Sequence, residues 1–251
     1  MRDLRQTLGN IGRAALELVW PKQVNCQGCG DVSGADREYL CAPCARRLEE
    51  LRAPESQRCL GCGTPVEAKC VCDRMPHVAY SRFAFYYQGP VRGVVQGFKY
   101  RAVTCMADWM AEELYGLLLR EDWLEEVHAL VPVPMPAKRL ASRGYNQADL
   151  LAKALAEATG LPVLDLLERT RETPQQARLK GKERRENLRG AFRARTDARG
   201  LRLLLIDDVR TTGATLEACA EALLKAHAAE VRALTFAAVC RPVEGEEPRG
   251  W

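Results

Sequence analysis

A strand that ends in two acidic residues is the segment of this sequence with the clearest chemistry. Residues 203–215 read LLLIDDVRTTGAT, so Asp207 and Asp208 follow an apolar run and a Thr/Gly turn opens the next helix. Backbone amides and threonine hydroxyls at a helix N-terminus can hold a phosphate, and Gly213 lets the backbone approach closely. The carboxylates would repel that phosphate, so we interpret them as acceptors for ribose hydroxyls, directly or through Mg2+. The segment therefore predicts a ribose 5-phosphate site.

Two other interpretations of this segment are weaker. The acidic strand end of a P-loop ATPase requires an earlier GxxxxGK[ST] loop, and the sequence has none. A plain helix N-cap explains one Thr or Asp, but not two Asp, three Thr and a Gly together. The predicted binding residues are Asp207, Asp208, Thr211, Thr212, Gly213, Ala214 and Thr215. The two aspartates are also the candidate catalytic residues.

Eight of the 11 cysteines form four close pairs and predict structural zinc. They are Cys26, Cys29, Cys41, Cys44, Cys59, Cys62, Cys70 and Cys72. A CxxC turn presents two thiolates to one tetrahedral zinc, and Gly30 and Gly63 permit a sharp turn after it. The alternative is a disulfide framework, but no secretory signal precedes it and the cytosol keeps thiols reduced. The first four cysteines form the more secure site. The last pair is CxC, so the second site could be weak, distorted or lost, which leaves one or two zinc ions.

The remaining chain reads as an α/β protein with a concentrated basic segment. Strand and helix patterns alternate from about residue 76, with strands expected over 129–133, 163–167 and 201–206, which indicates a mainly parallel sheet flanked by helices. We expect an amphipathic helix over 1–20, a double zinc ribbon over 21–75, the sheet domain over 76–242 and a polar tail over 243–251. Cys105, Cys219 and Cys240 are expected to be buried small hydrophobic residues.

The charge is uneven and indicates an anionic partner. Residues 169–202 hold 12 Lys and Arg against 4 Asp and Glu, although the whole chain has a net charge of only +4. A solvated Arg-rich loop is the alternative. No apolar run reaches the roughly 18 residues of a membrane span, so we expect a cytoplasmic protein with no membrane insertion.

The LLLIDDVRTTGAT segment resembles the phosphoribosyl pyrophosphate (PRPP) motif of type I phosphoribosyltransferases. Over about residues 20–240, the chain resembles the ComF family, which joins a double zinc ribbon to such a domain and is linked to DNA uptake in natural transformation. The segments GFKYRA, VPVPMPAKRLASRGYNQA and RTRETPQQARLKGKERRENLRGAF carry the resemblance together with the cysteine pairs. It implies a type I phosphoribosyltransferase-like fold that binds Mg2+ with PRPP or a related ribose 5-phosphate.

The resemblance also assigns roles to basic residues. Lys138, Arg139 and Arg143 correspond to a pyrophosphate-binding loop, and Lys99 and Tyr100 match a family signature. A mobile loop that closes over the reaction would carry Gln175, Lys180, Lys182, Arg184 and Arg185, and we expect it to be poorly ordered over about 173–182 without ligand. These residues could instead contact nucleic-acid phosphates.

Two functions therefore stay open. The first is a phosphoribosyltransferase that acts on an unknown acceptor, with sugar or purine salvage as a weaker variant. The second is a non-catalytic adaptor in transformation that uses the same site for a nucleotide or single-stranded DNA, together with competence proteins. No residue has the pattern of a dedicated nucleophile or general base. The absence of such a residue suits phosphoribosyl transfer, in which positioning and charge stabilisation supply much of the rate.

Overall fold

A parallel sheet with helices on both faces forms most of the structure, a computed structural model that describes residues 25–31, 39–100, 104–171, 188 and 190–240. The strands are β1 (Ser81–Tyr86), β2 (Ala129–Pro132), β3 (Leu167–Arg169), β4 (Phe192–Ala194), β5 (Arg202–Arg210) and β6 (Glu230–Ala238). The helices are α1 (Ala42–Glu50), α2 (Gly89–Tyr100), α3 (Met106–Arg120), α4 (Ala137–Arg143), α5 (Gln147–Thr159) and α6 (Ala214–Lys225).

The sheet has the order β1-β6-β5-β2, and all neighbouring strands in it are parallel. Strands β3 and β4 form a separate antiparallel pair. In the central strand β5, Leu204 and Ile206 pack with α3 and α5, whereas Leu203 and Leu205 pack with α6. Both faces of β5 are therefore buried, which explains its continuous apolar run. The predicted α/β class with a mainly parallel sheet is confirmed.

The cysteine-rich segment shares its core with the sheet domain. Cys26, Cys41, Cys44, Leu48 and Leu51 are buried in the same cluster as Phe85, Val91 and Val94. A Cβ at Gly93 of α2 would lie 2.0 Å from the carbonyl oxygen of Gly28, so the two backbones meet closely there. The structure thus gives this segment part of a larger core.

Helices α1 and α2 are absent from the sequence-based expectation. Helix α2 contains three glycines, which lowers its intrinsic helix propensity. Its buried residues Val91, Val94, Val95 and Phe98 nevertheless recur at the spacing of one helical face. Packing of this face against the sheet outweighs the local propensity. Helix α1 begins directly after Cys41 with Pro43 in its first turn, and it buries Cys44 and Leu48.

Four further expectations are corrected. The strand expected to end at Ile206 continues to Arg210, because β6 pairs with it up to Ala238. The Pro-rich segment with Arg139 and Arg143 forms helix α4 rather than a loop. The strand expected over 163–167 is reduced to a single bridge between Val163 and Leu130, and β3 begins at Leu167. Finally, Cys105 is exposed before α3 and Cys240 is half-buried, so only Cys219 is fully buried.

Several predictions fall outside the described residues. They are the helix over 1–20, the tail over 243–251, and the mobile-loop residues Gln175, Lys180, Lys182, Arg184 and Arg185. The domain boundaries at 21–75 and 76–242 stay predictions. Among the described residues, no helix is long and apolar enough to span a membrane.

Candidate functional site

The carboxyl ends of β2 and β5 form a crevice. Helix α5 follows β2 and packs on one face of the sheet, whereas α6 follows β5 and packs on the other. Neighbouring parallel strands whose helices leave on opposite faces create a gap at their carboxyl ends, where α/β proteins bind ligands. Strand β2 ends at Pro132 opposite Ile206, so Asp207 and Asp208 lie beyond the last paired residue of β2. The gap opens at the acidic pair.

The acidic pair is paired with one lysine. Lys99 Nζ, near the end of α2, lies 2.8 Å from Asp208 Oδ2. The Asp208 amide donates to Asp207 Oδ1 over 2.9 Å, which fixes the Asp207 carboxylate relative to the strand. Asp208 is buried, while Asp207 is partly open to the pocket. Lys99 was expected only from a family signature, and its contact with Asp208 gives it a definite role.

Burial and mutual repulsion shift the protonation of this cluster. Burial, together with the negative charge of Asp208, raises the pKa of Asp207 to about 8, although Lys99 and the Asp208 amide act to lower it. For Lys99, burial lowers the pKa, but the charges of Asp208 and Asp207 outweigh burial and the pKa is raised. Without ligand this environment favours a proton on Asp207, and a divalent cation bound beside it would favour the ionised carboxylate.

The Thr/Gly turn after β5 has the geometry of a helix N-terminal anion site. Gly213 precedes α6 with φ of +81°, a conformation that favours glycine. Thr211 and Thr215 line the pocket with both aspartates. Thr212 Oγ1 instead accepts from the Ala214 amide at 3.4 Å, and the side chains of Thr212 and Ala214 do not line the pocket. The Cβ position missing from Gly213 faces Met75, not the pocket.

Basic residues also line the pocket. Arg139 and Arg143 of α4 line the same cavity of about 250 Å3 as the acidic pair. Lys138 lines an adjoining cleft that also contains Arg139, Arg143 and the exposed ring of Tyr100. The structure thus brings together two of the three predicted pyrophosphate residues with the ribose-phosphate motif. Lys138 lies next to the site rather than in it.

Several lining residues were missed by the sequence reasoning, among them two amides and an arginine. Asn146 caps α5, where its Oδ1 accepts from the Ala148 amide and its Nδ2 donates to the Val133 carbonyl. Gln147 is buried, and its Oε1 accepts from Arg143 while its Nε2 has no partner among the described residues. Arg169 of β3 also lines the pocket. The YNQA sequence after Arg143 carries the N-cap signal that could have identified Asn146.

The eight cysteines form two clusters that fit zinc. Within each set of four, all Sγ atoms lie within 4.8 Å of one another. Thiolates placed about 2.3 Å from a tetrahedral zinc lie about 3.8 Å apart. In the second cluster, the Sγ atoms of Cys59 and Cys72 lie 3.5 Å apart, as do those of Cys62 and Cys70. The Sγ atoms of Cys70 and Cys59 lie 3.7 Å apart. The CxC pair therefore completes a second site.

One thiol in each cluster is held as a thiolate by its surroundings. Burial raises the pKa of Cys26, but backbone amides, led by that of Cys41, lower it to about 6. Burial likewise raises the pKa of Cys62, and hydrogen bonds led by the Thr64 hydroxyl lower it to about 6. Gly30 and Gly63 follow with φ of +88° and +66°, as the predicted sharp turns require. The sites support structural zinc and leave no open ligand position for chemistry.

Comparisons with known proteins match the two parts of the chain separately. A family model described as a double zinc ribbon domain matches residues 15–75, and one described as a phosphoribosyl transferase domain matches residues 140–250. The chain is 28% identical to Competence protein F of Haemophilus influenzae over 224 residues, which cover 83% of this chain and 93% of that protein. It is 29% identical to DNA utilization protein YhgH of Salmonella typhimurium over 204 residues, covering 77% and 87%.

A third relative, Competence protein ComFC of Bacillus subtilis, is 27% identical over 211 residues, covering 79% of this chain and 84% of that protein. The fold, the two cysteine clusters and these matches define a double zinc ribbon joined to a phosphoribosyltransferase-type domain. These matches agree with the resemblance of the sequence motifs to the ComF family.

Proposed function

We propose that the crevice between β2 and β5 binds Mg2+ with PRPP, or a closely related ribose 5-phosphate. The observation that carries this proposal is one pocket lined by an acidic pair, a helix N-terminus and two arginines. Each group matches a different part of PRPP. The turn at Thr211–Thr215 would hold the 5-phosphate, Asp207 and Asp208 the ribose hydroxyls, and Arg139 and Arg143 the pyrophosphate.

The same groups would assist phosphoribosyl transfer. Bound Mg2+ would screen the pyrophosphate charge, and the residues present are carboxylates and arginines, which suit a cation and an anion respectively. In the transfer, the bond from the ribose anomeric carbon to pyrophosphate breaks and a bond from that carbon to the acceptor forms. Arg139 and Arg143 would stabilise the departing charge, and the carboxylates the positive charge on the ring. The acceptor is open.

The biological role that fits this chain is DNA uptake during natural transformation. Relatives named for competence and for DNA utilization align over most of their length with this chain. A cytoplasmic location suits the proposal, because reduced thiols are needed to hold two zinc ions.

The binding proposal is tested by titration calorimetry with two ligands. With Mg2+, wild-type protein is expected to bind PRPP and, more weakly, ribose 5-phosphate. Arg139→Ala with Arg143→Ala should weaken PRPP at least tenfold and leave ribose 5-phosphate little changed, because only PRPP carries pyrophosphate. Thr215→Val should weaken both. Lys153→Ala, on the exposed face of α5, serves as a matched loss of positive charge. Absence of PRPP binding to the wild type would refute the proposal.

A second function, a non-catalytic adaptor for single-stranded nucleic acid, is favoured by the cleft beside the pocket. Tyr100 is 75% exposed there, and the Arg143 guanidinium lies 4.9 Å from its ring centre. Lys138 and Arg139 line the same cleft, and exposed aromatic rings among cations suit base stacking along a backbone. If oligothymidylate binding depends on Tyr100 and no acceptor consumes PRPP, the adaptor function is the correct one.

A further inference from the structure

Arg210 lies in the middle of the PRPP motif but does not serve the pocket. Its side chain is 2% exposed, and the residues that line the pocket do not include it. Its Nη1 donates to the Cys62 carbonyl at 2.6 Å and its Nη2 donates to Thr64 Oγ1 at 3.1 Å. A buried guanidinium requires such partners, and here one is a residue of the second cysteine cluster and the other, Thr64, lies two residues after it.

Thr64 continues this connection to a zinc ligand. Its hydroxyl lies 3.2 Å from Cys62 Sγ. Because Thr64 Oγ1 accepts from Arg210, its own proton is available to the Cys62 thiolate. Arg210, at the end of β5, is therefore linked to the Cys62 sulfur through the side chain of Thr64.

Two more contacts join the second cluster to the same turn. Met75 follows the short 3-10 turn Cys72–Arg74, and its amide donates to the Cys72 carbonyl at 2.8 Å. A Cβ on Gly213 would lie 2.3 Å from Met75 Sδ, so the methionine side chain packs directly against that glycine. His77 donates its amide to Glu217 Oε2, in the first turn of α6, at 3.1 Å. Together with Arg210, these contacts join the second cluster to the residue before the turn, to Gly213 within it and to the first turn of α6.

The first cysteine cluster packs elsewhere. A Cβ on Gly28 would meet Pro90 and Cys44 at 2.8 and 2.9 Å, and Gly28 and Gln27 are seated on Gly93 of α2. The two zinc sites are therefore expected to differ in their effect on the pocket.

We propose that Arg210 and Met75 are positioning residues that couple the second zinc site to the phosphate-binding turn at Thr211–Thr215. Zinc at Cys59, Cys62, Cys70 and Cys72 and an occupied pocket then stabilise each other, whereas zinc at the first cluster, which packs on α2, has a smaller effect on the pocket. Such coupling is reciprocal, so each partner raises the affinity of the protein for the other by the same factor. The ligand half of this inference rests on the proposed function; the structural half does not.

The ligand-free test compares two buried arginines that hold the same cluster. Arg210 reaches it from the turn, whereas Arg82 of β1 donates to the Gly61 carbonyl at 3.2 Å and has no place in the motif. Arg210→Ala and Arg82→Ala should both speed alkylation of Cys70 and Cys72 during zinc chelation. Only Arg210→Ala should also speed amide exchange at residues 211–213, by about tenfold. Arg210→Lys should restore part of the protection. Thr64→Val, nearly isosteric, should show the same pattern more mildly if Arg210→Ala fails to fold.

The ligand test uses wild-type protein with PRPP and Mg2+. Saturation should slow alkylation of Cys70 and Cys72 at least fivefold, the low end of ordinary coupling, and slow that of Cys29 and Cys41 clearly less. The protection should vanish in Arg210→Ala. Equal effects of the two arginine variants at residues 211–213, or equal protection of both clusters, would overturn the coupling. If PRPP does not bind, the proposed function fails, and the exchange comparison still decides the structural coupling.

Discussion

Lys99 Nζ lies 2.8 Å from Asp208 Oδ2, and this contact joins the end of α2 to the acidic pair on β5. It neutralises one of two adjacent carboxylates in a largely buried place, where an unpaired charge is costly. Because α2 also carries Gly93 against the first cysteine cluster, the helix touches both the ribbon and the pocket.

Lys99→Met should lower the free energy of unfolding by about 2 kcal/mol at pH 7, because it leaves Asp208 buried without its cation. Lys153→Met is the matched control, since Lys153 Nζ also lies 2.8 Å from a carboxylate, Asp149, but on an exposed face. That pair should contribute about 0.5 kcal/mol or less. Urea denaturation measures both, and equal losses would contradict the role given to Lys99.

Asp207→Asn should make the ligand-free protein more stable than the wild type, and this difference should grow as the pH rises. The folded pKa of Asp207 is about 8, above its ordinary value of 3.8, so the folded state holds a proton that the unfolded state has released. The wild type therefore loses stability between about pH 4 and pH 8, and no more above that. Asparagine keeps the acceptor for the Asp208 amide and cannot ionise. Its advantage should grow across this window to about 1 kcal/mol or more.

Thermal unfolding at several pH values measures this trend. Asp197→Asn should lose stability relative to wild type only as the pH rises to about 4 and stay level above it, because the hydrogen bond from His227 lowers the pKa of Asp197 below its ordinary value of 3.8. A flat difference between Asp207→Asn and wild type would mean that Asp207 is ionised throughout.

Protein prepared without chelator should contain two zinc ions per chain, measured by elemental analysis. Removal of zinc should do more than unfold residues 21–75, because Cys26, Cys41 and Cys44 share a core with Val91 and Val94 of α2. Hydrogen exchange should therefore show faster exchange in α2 as well as in the ribbon, with β5 and β6 still protected. Less than half an equivalent of zinc would contradict the metal assignment.

Gly213→Ala should destabilise the fold more than Gly160→Ala. Both glycines have φ between +74° and +81°, so both substitutions bear the left-handed backbone penalty of about 1 kcal/mol. Only Gly213 also meets Met75, whereas a Cβ at Gly160 meets nothing within 4 Å. We expect an additional loss of about 1–3 kcal/mol from overpacking, measured by denaturation. Equal losses would show that Met75 moves aside freely.

The sequence predicts the parts of this protein whose signal is local. The acidic strand end, the Thr/Gly turn and the cysteine spacing each depend on residues that are close along the chain. Contacts between distant segments carry no such signal. Nothing near Lys99 shows that it reaches Asp208, and Arg210 reads as one more basic residue of a binding motif until its partners Cys62 and Thr64 are seen.

The errors at element ends have a similar origin. A polar Asp-Asp pair reads as the end of a strand, yet β6 continues to pair with β5 beyond it. The glycines of α2 lower its helix propensity, and its helical apolar face stabilises the helix only when it packs against the rest of the core. Cys105 looks like an isolated apolar residue, but its place before α3 leaves it exposed.

Calorimetric titration of PRPP with Mg2+ into wild-type protein and into the double variant Asp207→Asn, Asp208→Asn tests the central claim most directly. Charge-assisted hydrogen bonds contribute about 1.5–3 kcal/mol each, so the double variant should bind PRPP at least ~100-fold more weakly while remaining folded. Equal affinity of the two proteins for PRPP would show that the acidic pair does not hold the ribose, and the ribose-phosphate assignment would be wrong.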